Sequence, residues 1–154
     1  INIRDFSTDK HRTVDDTPYG GGTGMVIKPD IVDSAVEAAK AKLPGAQVIY
    51  TSPRGTPLSQ PLVESLKNKD LIILCGRFEG VDHRVIEHHN MLEVSLGDFV
   101  LSGGEIAALA ILDACVRLLP GVIGRGQSGK EDAVIEESFT QTSEYAGLLE
   151  YPHY

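Results

Sequence analysis

The sequence predicts an α/β fold with a mainly parallel sheet flanked by helices. Short β-branched runs alternate with segments of helical spacing along most of the chain, the pattern of strand–helix–strand units. Three of the strand-like runs end in glycine-containing loops, at residues 50–55, 76–80 and 96–104. Ligands of open α/β sheets lie outside the carboxyl ends of the strands, so these loops are expected to converge on one pocket.

Residues 1–6 read as a short strand, and residues 7–25 as a loop of unusual length, polar, charged and glycine-rich. Within that loop Lys10, His11 and Arg12 form a basic patch beside a glycine hinge, suited to a phosphate contact. Helical spacing of Ile31, Val32, Ala35, Val36, Ala39 and Leu43 predicts a helix over 30–43, with Asp30 as its cap and Pro44-Gly45 as its stop. A strand follows at 46–50 with a loop at 51–55, then a short helix at 62–68, a buried-type strand at 71–75, and a helix at 81–88. The last strand lies near Glu93 and leads through a glycine-rich loop into an apolar helix, 106–119. Ser102 and Glu105 have the spacing of a capping box for that helix.

The 106–119 segment is apolar on nearly every face and carries charge only at Asp113 and Arg117. Such a helix is buried in a core or against a second subunit. Asp113 and Arg117, four apart, share a face and can pair, and spacing alone reads them as a structural ion pair. Pro120-Gly121 ends the helix.

A chain of 154 residues, 42% hydrophobic, is enough for one domain with a real core. No run is long enough to cross a bilayer and no secretory signal is present. Cys75 and Cys115 lie in apolar segments and read as buried free thiols of a cytosolic protein. A net charge of −8 has the wrong sign for a self-sufficient nucleic-acid binder. There is no P-loop pattern and no nucleophile elbow, and the Gly20–Gly24 run is a weak dinucleotide fingerprint. His83, His88 and His89 lack ligand spacing with a carboxylate or cysteine on one helix face and read as surface histidines, so no metal site is predicted.

Four sets of residues in order resemble the bacterial tRNA (guanine-N1)-methyltransferases of the SPOUT class. They are Arg4-Asp5-Phe6 with Asp9 to Asp16 and Pro18 to Gly22; Cys75-Gly76-Arg77-Phe78-Glu79-Gly80-Val81-Asp82; Leu96 to Glu105; and Leu149-Glu150-Tyr151-Pro152-His153-Tyr154. The resemblance covers nearly the whole chain. It implies a deep trefoil knot in the later part of the fold, S-adenosylmethionine as cofactor, and a cytoplasmic homodimer whose active site is shared between subunits. The implied reaction methylates N1 of guanine 37 of a tRNA that also carries guanine at position 36, beside the anticodon, which supports reading-frame maintenance. The resemblance leaves Mg²⁺ assistance open. It also assigns residues 1–124 to the methyltransferase domain, its first strand and helix missing. Residues 125–154 become a linker and the start of a C-terminal tRNA-binding domain. The chain opens on Ile1, ends within a motif, and reads as a fragment of a longer protein. A non-catalytic RNA-binding module with the same fold is the alternative reading.

Carried over by the same resemblance, the cofactor loops comprise Tyr50, Thr51, Ser52 and Pro53; Gly76, Arg77 and Glu79; and Leu96, Gly97, Phe99 and Leu101. Guanine N1 carries a proton at neutral pH, so the reaction needs a base and a cation near O6. Arg117 matches the family's catalytic arginine. The base is Asp132 or Glu137, Asp132 having the expected residue type and Glu137 the expected place before Ser138-Phe139. Asp15 and Gly24 match tRNA-handling positions, with Lys10 and Arg12 as further tRNA contacts. Thr23 and Ala107 stand where the family often has proline.

Overall fold

The computed structural model describes residues 1–122. Its first element is a 3₁₀ turn, Ile3–Phe6, where a strand is expected from sequence. Asn2 decides the difference: its side-chain oxygen accepts the Arg4 N–H while its carbonyl accepts the Asp5 N–H at 3.1 Å, closing a turn instead of extending. The long loop that follows is interrupted by β1 (Asp15–Asp16), which pairs antiparallel with β2 (Val26–Ile27). Helix α1 (Pro29–Lys42) then starts on a proline at its first position. Lys28, not Asp30, is the cap residue, and it gives no side-chain hydrogen bond.

β3 (Gln47–Pro57) is the central strand, pairing in parallel with β4 (Leu71–Cys75) on one side and β5 (Leu92–Ser95) on the other. It runs well past the expected end at Tyr50. Residues 51–55 read as a loop because proline and glycine interrupt them, yet the chain bulges there and pairs again, Thr51 and Thr56 both facing Val94. Between β3 and β4 lies α2 (Gln60–Leu66), and α3 (His83–His88), capped by the Asp82 carboxylate, precedes β5. The final helix is α4 (Glu105–Val116).

Alternation along β3 sends Val48 and Tyr50 to one face and Ile49 to the other. Val48 and Tyr50 pack with Val32, Val36, Val85 and Ile86 of α1 and α3, while Ile49 joins Val63, Leu66, Ile111 and Cys115 of α2 and α4. The result is three layers with the sheet covered on both faces, as a parallel sheet requires.

Two expectations change in this packing, the capping box and His89, and the single chain covers only part of the apolar helix α4. The capping box does not form: Gly104 is the cap residue of α4, without a side-chain bond, and the Glu105 carboxylate goes instead to Arg77. α4 is buried on one side only, by Ala107, Ala108, Ile111 and Cys115. Ile106, Leu109, Leu112 and Val116 are exposed on the other. His89 is a core residue instead of a surface one, because α3 ends at His88 and the chain turns its next side chain inward onto α1.

Candidate active site

The loops after β3, β4 and β5 meet around a cavity of about 380 Å³, within the range of small-molecule sites. Tyr50, Thr51, Ser52, Pro53, Gly76, Arg77, Glu79, Leu96, Gly97, Phe99 and Leu101 all line it, together with Arg54, Phe78, Val100 and Ala107. The bulge in β3 supplies the first wall. Its Ser52 hydroxyl accepts the Arg54 N–H at 3.2 Å and fixes the turn of the strand.

Close backbone approach builds the floor. The Gly104 N–H donates to the Gly76 carbonyl at 3.0 Å, so the loop leading into α4 lies directly against the loop after β4. A Cβ on Gly104 would overlap the Thr51 hydroxyl oxygen and come within 3.0 Å of the Cys75 Cα. Only glycine fits there. Tyr50 is buried beneath the 76–80 loop, with Gly76 and Gly80 seated on its ring. Burial raises its phenol above the ordinary value of 10.0, partly offset by a hydrogen bond from the Val81 backbone.

One of the rim charges, Arg77, is held in a pair. Arg77 donates from Nε and Nη2 to Glu105 Oε1 at 2.9 and 2.8 Å, tying the β4 loop to the first turn of α4. The Glu105 carboxyl lies below its ordinary value because its own backbone N–H and then Arg77 bond it. Burial raises the half-buried Cys75 thiol, with Glu105 adding to the rise, so it is a poor nucleophile.

A family model described as tRNA (Guanine-1)-methyltransferase TrmD matches residues 1–154. The chain belongs to that family. A tRNA (guanine-N(1)-)-methyltransferase of Sphingopyxis alaskensis is 53% identical over 100% of this chain and 59% of its own length. One from Rhodopseudomonas palustris strain HaA2 is 56% identical over 99% of this chain and 57% of its own. The Rickettsia akari enzyme is 50% identical over 97% and 62%. The chain therefore spans about three fifths of the length of the curated relatives it matches.

The remaining family positions fall away from the cavity floor. Gly24, at φ +88°, packs against the Glu79 side chain, and the Glu79 N–H donates to the Met25 carbonyl at 3.0 Å. The glycine-rich loop is thus stitched to the β4 loop. Asp15 sits in β1, half-buried, and Lys10 is exposed beside Arg12. Arg12 is bound to Asp5 and donates Nε to the Arg4 carbonyl at 3.3 Å, so the basic patch is partly neutralised by its own turn. Arg117 is the residue that follows α4, its backbone N–H on the Asp113 carbonyl at 3.0 Å. Ten residues of helix, about 15 Å of rise, separate it from Ala107 at the cavity wall. Asp132 and Glu137 lie outside the described residues.

Gly104, Phe78 and the Arg77–Glu105 bond are the parts of the site that the sequence reading missed. Phe78 holds a left-handed backbone, φ 58°, on the cavity rim, a strained geometry that no sequence pattern announces. The double glycine before Glu105 was the available signal for Gly104.

Proposed function

We propose that the protein methylates N1 of guanine 37 in tRNA carrying guanine at position 36, using S-adenosylmethionine, as a cytoplasmic homodimer. The observation that carries this reading is one cavity, at the carboxyl ends of three parallel strands, lined by every residue that the family resemblance assigns to the cofactor loops. Its backbone-rich floor, with glycine at the points of closest approach, suits an adenosine read by amides and carbonyls.

Bound there, the cofactor supplies an electrophilic methyl group on a sulfonium, which leaves as a neutral thioether. The chain's own groups do the rest. Asp132 or Glu137 takes the N1 proton as the N1 lone pair forms the new carbon–nitrogen bond. Arg117 faces the negative charge that builds on O6. Asp15, Gly24, Lys10 and Arg12 belong to the tRNA-handling loop, and its attachment to Glu79 lets that loop respond to the cofactor side of the site.

The uncovered side of α4 supports a dimer: Ile106 and Leu109 are 59% and 61% exposed there, and Leu112 and Val116 continue the row. A trefoil knot is in keeping with the loop before α4 passing against both other strand-end loops at Gly104. Residues 1–124 form the methyltransferase domain on this reading, and 125–154 lead into a tRNA-binding domain.

The test is calorimetric titration with S-adenosylmethionine beside a tRNA methylation assay. Arg117→Ala is expected to keep cofactor binding and to lose methylation by at least about 10²-fold. Full activity in that variant would remove the arginine from the reaction, and no cofactor binding by the folded wild-type dimer would overturn the function.

A further inference from the structure

We propose that Asp33, His88 and His89 form a site for a divalent transition metal between α1 and the end of α3. None of the three lines the cavity. Their ligand atoms all lie within 4.8 Å of one another. Asp33 Oδ1 is 2.8 Å from His89 Nε2 and 3.8 Å from His88 Nε2, so both imidazoles turn the same nitrogen toward one carboxylate oxygen. Consecutive residues inside a helix point about 100° apart and rarely share a ligand. Here the helix ends at His88 and His89 caps it, and Asn90 reverses the chain at φ 48°, which brings the two rings to 4.9 Å at an interplanar angle of 76°.

Zinc bonds of 2.0–2.2 Å in a tetrahedral site place ligand atoms about 3.3 Å apart. The observed separations straddle that value, so side-chain rotation at the exposed His88 closes the set. Two imidazole nitrogens and one carboxylate favour Zn²⁺, Co²⁺ or Ni²⁺ over Mg²⁺ or Ca²⁺. The His88 side chain is 72% exposed, which leaves an entry path and room for water as a fourth ligand, while the His89 side chain is 1% exposed and fixed.

The surrounding charges supply the outer support that a metal-bound histidine needs. Without metal, the Lys40 ammonium, 2.8 Å from His89 Nδ1, can only donate, so Nε2 carries the proton and donates it to Asp33. Metal on Nε2 expels that proton and requires one on Nδ1. Glu37 Oε1 stands 3.4 Å from Nδ1 and accepts it once the Lys40 ammonium, a donor that faces the same nitrogen at 2.8 Å, swings away onto that carboxylate, which it already reaches at 3.4 Å. Asp33 and Glu37 lie one turn apart on α1, so one helix face provides both the ligand and its support.

The experiment uses untagged protein, titrated with Zn²⁺ against a chelator of known affinity and with Co²⁺ followed by visible absorption. One Zn²⁺ per chain is expected, with a cobalt spectrum lacking thiolate charge transfer and a melting temperature raised by Zn²⁺ and restored by EDTA. Both His88→Ala and Asp33→Asn should weaken binding by at least about tenfold, and Glu37→Gln should also weaken it. His88 is exposed, so its replacement does not threaten the fold. No saturable binding, or His88→Ala within about twofold of wild type, overturns the site.

Discussion

A methyl group on the Gly104 α-carbon would meet the Thr51 hydroxyl oxygen and the Cys75 backbone, neither of which can move without disturbing two strands. Gly104→Ala is therefore expected to destabilise the protein by about 1–3 kcal/mol, the usual range for overpacking. It should also weaken S-adenosylmethionine binding by about tenfold or more, since the two loops it separates form the cavity floor. Urea melts and calorimetry measure both effects, and wild-type values in each would show that the close approach is dispensable. Tyr50 beneath the same floor makes a pH-dependent contribution. Its folded-state value is raised, so the stability it provides is complete below pH 10.0 and is lost as pH rises through that folded value. Tyr50→Phe should be less stable at pH 8 by about 0.5–1.5 kcal/mol for the lost hydrogen bond, with the gap narrowing as pH rises above 10.0. A gap independent of pH would mean that the phenol ionises freely in the folded chain.

At the scale of elements, legibility followed the range of the interaction. β4 was read at residues 71–75 and observed there, since a short apolar run between polar neighbours reports local strand formation. The α1 helix was read to within a residue for the same reason. What sequence could not supply were competitions settled by distant residues. Ser102 lost its capping partner because Arg77, 28 residues before Glu105, takes the carboxylate. Residues 51–55 look like a loop, yet Val94 on a strand far along the chain pairs with both sides of the bulge. His89 looked like a surface residue until α1 came to lie over it. All-round apolarity of α4 was legible, and the three-layer packing accounts for only half of it. Leu109→Glu on the uncovered half should leave the single chain folded, because exposed positions change stability by about 0.5 kcal/mol or less. It is expected to convert the proposed dimer to monomer in analytical ultracentrifugation, and a dimer that persists would place the interface elsewhere.

Across the whole molecule, the convergence of three loops on one cavity was legible because motif order survives translation into space: three strand ends of one parallel sheet must lie side by side. The proposed catalytic groups are a different case: Asp132 and Glu137 lie outside the described residues, and Arg117 is not among the residues lining the cavity of its own chain. Arg117 follows α4 at the end far from Ala107 and the cavity, while the exposed row Ile106, Leu109, Leu112 and Val116 runs along the helix between those ends. Two copies of α4 packed antiparallel on that row would carry each Arg117 toward the partner's cavity, an isologous arrangement. This geometry separates two otherwise similar dimers by complementation. Co-expressed Arg117→Ala and Gly104→Ala chains, assayed at a limiting S-adenosylmethionine concentration at which the Gly104→Ala cavity stays nearly empty, should recover roughly a quarter of wild-type methylation, since half of randomly assorted dimers pair the two variants and each such dimer rebuilds one intact site. If Arg117 instead serves the cavity of its own chain, every site in the mixed dimer is damaged, and activity stays at the level of the separate variants.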